Sequence, residues 1–277
     1  MADTTPLSDW VKLLNLPSKD AADWFRKLNP IASASWGEIN KAERDYAFTI
    51  AGMTREDLLK TVFDKLGDAI TEGRDAAWFE KELTPTLIKA GWWGDTETTD
   101  LETGIVSKVA QGSPTRLKFI FDTNVRKAES AGRWEQAERV KSTAPFMMRR
   151  TMGDERVRAD HAIYDYVCLP IDDPFWNDHC APMAFGCRCL DINLSEDGVQ
   201  DYIDAGLPIK LKAPPAQFQT FERDGEILKL PLGVGPGFGS NPLTSRKQSL
   251  ADTKKSKRAA LPASIKKEAS RLDRKPR

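Results

Sequence analysis

The chain has 277 residues, enough for one large domain or two small ones with a substantial core. Lys+Arg 41 balance Asp+Glu 41, 40% of residues are hydrophobic and 30% are charged, which excludes collagen-like and disulfide-scaffold classes and a wholly disordered chain. No apolar run approaches the roughly 18 residues of a membrane span, the start lacks a signal-peptide pattern, and four Cys make no disulfide framework here, so a soluble protein made in a reducing compartment is expected.

The first half carries helical patterning, and residues 1–40 are assigned to an N-terminal helical extension. Thr54 with Asp57 three residues on predicts a capping-box-like start. Behind it Leu58, Leu59, Val62, Phe63, Leu66, Ala69 and Ile70 form one apolar stripe, and Gly73 is placed to end the helix. A second helix carries Trp78, Phe79, Leu83 and Leu87, kinked or broken near Pro85 and stopping around Gly91-Trp92-Trp93-Gly94. The polar run 95–103 reads as a loop. Ser113-Pro114 opens the next helix with Pro at its first position; Leu117, Ile120, Phe121 and Val125 face inward, Gly132 is expected to end it, and a short helix over 134–141 follows.

Strand patterning begins with the run 146–152 and returns at 209–212 and 226–230, where apolar and charged residues alternate. The glycine-rich stretch 233–240 reads as a flexible connector; it lacks the Lys-Ser/Thr and the strand-to-helix setting of a phosphate loop. Beyond it, residues 241–277 hold twelve Lys/Arg against three Asp/Glu, a charge of +9 that leaves −9 on the rest. This tail, with Lys254, Lys255, Lys257, Arg258, Lys266 and Lys267, is either an arm for phosphate or an acidic partner surface, or a solvated disordered end.

The chemistry is concentrated between residues 154 and 190, which hold both histidines and all four cysteines of the chain. His161, His179, Cys187 and Cys189 make a two-His, two-Cys set suited to a closed tetrahedral zinc site, with a structural ion stapling a loop-rich region. The alternative is that the histidines are satisfied locally and the thiols are small buried hydrophobes. Cys168 and Cys180 read as inert buried thiols, although either could replace a histidine as ligand. Asp154 is a candidate acceptor behind a ligating histidine, or else a cap or turn residue. Arg156, Arg158 and Arg188 bind phosphate or a partner, or brace acidic loops. Zinc-deaminase and zincin spacings are missing, and with both histidines ligating no general base remains, so a non-enzyme is expected. The rival is a metal-dependent nuclease or toxin effector using Asp154, Arg156, Arg158 and His161.

The sequence Asp154-x-Arg156-x-Arg158-x-x-His161, then Asp172-Asp173-Pro174-Phe175-Trp176-x-x-His179 and Gly186-Cys187-Arg188-Cys189, resembles the closing motif of the phage Mu protein F-like head morphogenesis family. Three upstream blocks are similar to it as well: residues 47–52, Gly91-Trp92-Trp93-Gly94, and the stretch from Arg116 to Gly132 with Thr123-Asn124. The resemblance spans about residues 40–192. The chain departs from the family where Cys180-Ala181-Pro182 replaces an aromatic residue and a Pro-Pro pair, which favours His179 over Cys180 as a ligand. The resemblance implies a minor capsid protein of a tailed phage, made in the host cytoplasm and placed in the virion head. It implies portal protein and/or major capsid protein as partners. The tail after about residue 195 lies outside the resemblance, so the expectation that it reaches double-stranded DNA rests on its composition alone, and no membrane partner is expected. The short basic remainder after the motif argues against the toxin-fused version.

The expected architecture is α+β. A helical N-terminal half leads into the head morphogenesis domain over 41–195, with its zinc-stapled segment at 154–190. Short strands and the connector follow over 196–240, and the basic tail over 241–277.

Overall fold

A computed structural model describes residues 18–33, 46–99, 106–223, 226–245 and 255. The architecture is mixed helix and strand. Helix α1 (Lys19–Arg26) is capped by Ser18, whose side chain accepts from the Ala21 amide. A two-residue parallel pairing joins β1 (Asn29–Pro30) to β2 (Ala47–Phe48). Helices α2 (Glu56–Glu72) and α3 (Ala76–Lys89) follow, and the hairpin β3 (Asp95–Thr99) and β4 (Val106–Ala110) leads into the long α4 (Pro114–Val140).

The stripe predicted on α2 is the buried face of the first core, and Gly73 ends the helix in the left-handed region at φ 66°. Its start differs from expectation. The N-cap is Arg55 and not Thr54, with no side-chain cap hydrogen bond, and the Asp57 carboxylate is engaged chiefly by the Arg55 guanidinium. Helix α3 runs unbroken across Pro85 and packs Phe79, Leu83 and Leu87 inward. The run 95–103 is not simply a loop, because residues 95–99 pair in antiparallel register with β4. A strand needs only backbone partners there, so the lack of apolar alternation hid it.

Ser113 and Pro114 open α4 as predicted, but Gly132 does not end it. The helix continues through the expected second helix to Val140, because Gly132 is where α1 crosses: a Cβ there would meet the Ala21 nitrogen at 2.8 Å. On the same contact Arg139 makes two hydrogen bonds to Asp20, at 3.0 and 2.6 Å. Helix α4 thereby serves two cores. Its first half packs Leu117, Ile120 and Phe121 with α2 and α3, and its second half sends Trp134 and Ala137 into a second cluster.

That second cluster lies on a three-stranded antiparallel sheet in the order β6-β5-β7, made of β5 (Phe146–Arg150), β6 (Cys168–Pro170) and β7 (Leu190–Leu194). Between β5 and β6 sits the one-turn helix α5 (Ala159–Ala162), and after β7 comes α6 (Glu196–Asp204), capped by Ser195. The hairpin β8 (Phe218–Arg223) and β9 (Glu226–Pro231) follows. The stretch 209–212 forms only an isolated bridge, Lys210 with Val167. The 233–240 stretch is no free connector. The Gly235 amide donates to the Met183 carbonyl at 2.8 Å, the Cys180 amide donates to the Gly239 carbonyl at 2.8 Å, and Val234 is buried in the second core.

The three upstream blocks of the family pattern converge. The Arg116 guanidinium lies 4.9 Å from the Trp92 ring centre and donates to the carbonyls of Gln111 and Ala51 at 3.0 and 2.5 Å. The Trp92 indole N–H donates in turn to the Gly52 carbonyl at 3.2 Å. No described helix is long and apolar enough to cross a membrane.

Candidate metal centre

Strand β5 supplies the support for the site. Arg149 and Asp191 face each other across the β5–β7 register, both side chains fully buried, with Nε to Oδ1 at 2.6 Å. The remaining groups of this pair hold the loop that precedes the cysteines. Asp191 Oδ2 accepts from the Ala181 amide at 2.8 Å and from the Trp134 indole at 3.3 Å. Arg149 donates from Nη2 to the His179 carbonyl and from Nη1 to Met183 Sδ, and it sits over the Trp176 ring. A buried ion pair survives only when its remaining lone pairs and protons are satisfied, and here they are.

The loop so held places Cys187 and Cys189 against α5, which carries His161. Among the described residues these three are the His, Cys, Asp and Glu side chains that could hold a metal together, with ligand atoms all within 4.8 Å of one another and all buried. His161 Nδ1 lies 3.5 Å from Cys187 Sγ and 3.7 Å from Cys189 Sγ. A tetrahedral zinc bonded at about 2.3 Å to sulfur and about 2.0 Å to nitrogen sets such pairs about 3.5 Å apart. The other ring nitrogen, Nε2, lies 2.9 Å from the Gly233 carbonyl. A carbonyl only accepts, so Nε2 carries the proton and Nδ1 turns its lone pair to the thiols, the tautomer a metal requires. Without an ion the two thiols compete for protons: Cys187 is held low because Cys189 donates to it, and Cys189 is pushed up.

Gly233 was not singled out in the sequence. Its φ is +79°, and a Cβ there would meet the Asp160 carbonyl oxygen at 3.1 Å and His161 Cδ2 at 3.2 Å, so a side chain would displace the carbonyl that orients His161. Three left-handed glycines in seven residues, Gly233, Gly237 and Gly239, are the trace this strap leaves in the sequence.

The structure does not assemble the predicted four-residue set. His179 lies outside it: its Nδ1 is 3.0 Å from the Phe175 carbonyl, and its ring stacks on Phe175 at 4.1 Å and meets Tyr164 edge-on. Burial lowers its pKa. Asp154 does not back His161 either, because both of its oxygens are taken by Arg188, at 2.7 and 2.6 Å. That guanidinium holds the carboxyl below the usual range. Arg158 donates to the Phe185 carbonyl at 2.7 Å. Cys180 is buried with its thiol on the Trp176 carbonyl, and burial pushes it up; Cys168 lies in a separate cluster, pushed up by burial to about 11. Neither joins the site. Of the tail residues Lys255 is exposed, and Lys254, Lys257, Arg258, Lys266 and Lys267 lie outside the described residues.

Residues 60–192 match the family of phage Mu protein F like proteins. The chain is 34% identical over 174 residues to the putative capsid assembly protein F of Escherichia phage Mu, in an alignment covering 63% of this chain and 39% of that protein. It is 33% identical over 166 residues to the Mu-like prophage FluMu F protein of Haemophilus influenzae, covering 60% of this chain and 39% of that protein. The chain thus spans about two fifths of the length of the curated relatives it matches. No solved structure matches it.

Proposed function

We propose that the chain acts in head assembly of a tailed phage, made in the host cytoplasm and built into the virion head. The observation that carries this reading is where the family segment falls. Residues 60–192 include Arg149, His161, Cys187, Cys189 and Asp191, so the matched segment contains the three ligand candidates and the ion pair that supports their loop. One protein similar to it is named for capsid assembly, and on this reading that role extends to this chain.

The finer parts of the reading are these. The domain over 41–195 docks on portal protein at the portal vertex, or on major capsid protein, with the packed 233–245 strap completing its site. The basic tail, with Lys254, Lys255, Lys257, Arg258, Lys266 and Lys267, contacts packaged double-stranded DNA or an acidic partner surface. A zinc ion on His161, Cys187 and Cys189 staples the loop between β6 and β7 to α5, contributing folding energy on the order of 10 kcal/mol. The work of the body is binding. A nuclease or toxin effector built on Asp154, Arg156, Arg158 and His161 needs a free carboxylate and a free imidazole nitrogen, whereas Asp154 is engaged by Arg188 and both nitrogens of His161 have partners.

The test is a phage carrying an early stop in this gene, with heads separated by gradient sedimentation. In the parent, the chain should sediment with DNA-free procapsids and co-purify with portal protein, and the mutant lysate should lose infectious heads. A normal yield of filled heads from the mutant, with no chain in parental procapsids, would overturn the reading.

A further inference from the structure

The three ligand candidates share a cleft. Its volume is about 150 Å³, and its wall combines His161, Cys187 and Cys189 with Arg156, Arg158 and Arg188. Two thiolates cancel the charge of a zinc ion and the imidazole is neutral, so the metal unit itself carries no net charge. Its lining carries three guanidiniums and no carboxylate, and Asp154 beside it is held by Arg188. Arg158 donates to a backbone carbonyl, and the exposed Arg156 side chain makes no ion pair among the described residues. The cleft is therefore positive and faces the ion's ligands.

No further His or Cys side chain remains to complete a tetrahedron. The sequence contains two histidines and four cysteines, and the structure accounts for each. His179 is stacked on Phe175, Cys180 bonds the Trp176 carbonyl, and Cys168 is in another cluster. A fourth ligand to the ion is thus an oxygen or comes from outside. We propose that the metal on His161, Cys187 and Cys189 keeps its fourth position toward this arginine-lined cleft and takes an oxyanion there, a carboxylate or a phosphate group. This rests on the metal reading given above. The step is ligand exchange: one oxygen of the anion replaces a bound water, no bond in the protein is broken, and Arg156 contributes charge-assisted hydrogen bonds to the remaining oxygens. An open fourth position is also what separates a ligand-binding zinc site from a closed structural one.

The test uses the full chain loaded with Co²⁺, whose visible bands report coordination, titrated separately with inorganic phosphate and with acetate. Saturable band shifts with at least one anion are expected. Arg156→Ala should bind Co²⁺ as the parent does but weaken the anion roughly tenfold, the loss of about one charge-assisted hydrogen bond. The anion that binds more tightly identifies the group as carboxylate or phosphate. A cobalt spectrum unmoved by either anion overturns the open position while leaving the metal in place. A spectrum altered by His179→Gln overturns it as well, because that histidine would then be the fourth ligand. Failure of the chain to bind Co²⁺ or Zn²⁺ overturns the metal reading itself.

Discussion

Arg149 and Asp191 stand directly opposite each other on neighbouring strands, fully buried, and their further hydrogen bonds hold the loop that precedes the cysteines, at His179, Ala181 and Met183, together with the Trp134 indole. Removing one member leaves a buried charge without its partner. Asp191→Ala should therefore cost about 3–5 kcal/mol in urea denaturation, and the paired change Arg149→Met with Asp191→Leu should recover most of that loss. A single substitution that leaves the denaturation midpoint in place would show that the pair does not support the fold.

Gly132 yields a prediction of opposite sign to the usual rule. In a helix interior Gly→Ala normally stabilises by roughly 0.5–1 kcal/mol. At this position the new methyl would run into Ala21 and Ser18 of the crossing helix. Gly132→Ala should lower the melting temperature and weaken the contact that also carries Arg139 and Asp20. A raised melting temperature would mean that α1 does not pack there.

His179 makes stability depend on pH. Burial holds its folded-state pKa below the unfolded value, so below about pH 6.5 the unfolded chain binds more protons than the folded one. Its neutral form thus contributes stability that is fully present above that range and falls away as the pH drops. His179→Gln should flatten the decline between pH 7 and 5 relative to the parent, and comparing the two chains cancels the effect of the metal ligands, which they share. Equal slopes would contradict the assignment.

Much of this was legible in the sequence. The stripe from Leu58 to Ile70 and the Ser113-Pro114 helix start are local patterns, and each appears where expected; of the four ligands read from the dense His/Cys segment, His161, Cys187 and Cys189 come together and His179 does not. What escaped depends on distant partners. Gly132 looks like a helix end until α1 is seen crossing it, and the 233–240 stretch looks like a linker until its carbonyls are seen on His161 and Cys180. Arg149 looks like a surface charge on a short strand because its partner is 42 residues away. The one available trace was an arginine pair directly after the apolar run Phe146-Met147-Met148. His179 was misplaced for a related reason: spacing shows which residues are near in the chain, but not that an aromatic ring will hold one of them flat.

The basic tail carries its own prediction. The fold reaches further than the Gly-rich stretch, because Asn241 is buried and Leu243 packs on the second core. A chain ending after Ser245 should therefore keep its fold, while one ending at Ser240 should be less stable. The full chain should bind duplex DNA weakly and without sequence preference. If roughly four to six phosphates are met at once, the log–log salt slope should be about −4 to −5. The chain ending after Ser245 should lose that binding. Equal binding by the two would place the DNA contact on the body, with the tail charge merely solvated.

The most direct measurement is elemental analysis of the freshly purified chain alongside Cys187→Ser. The account predicts about one zinc per parental chain and none in the variant, whose residues 154–192 become accessible to protease while the α2–α4 core stays folded. A parental chain free of transition metal, or a Cys187→Ser variant that retains its zinc, would contradict the assignment of His161, Cys187 and Cys189 as a metal centre.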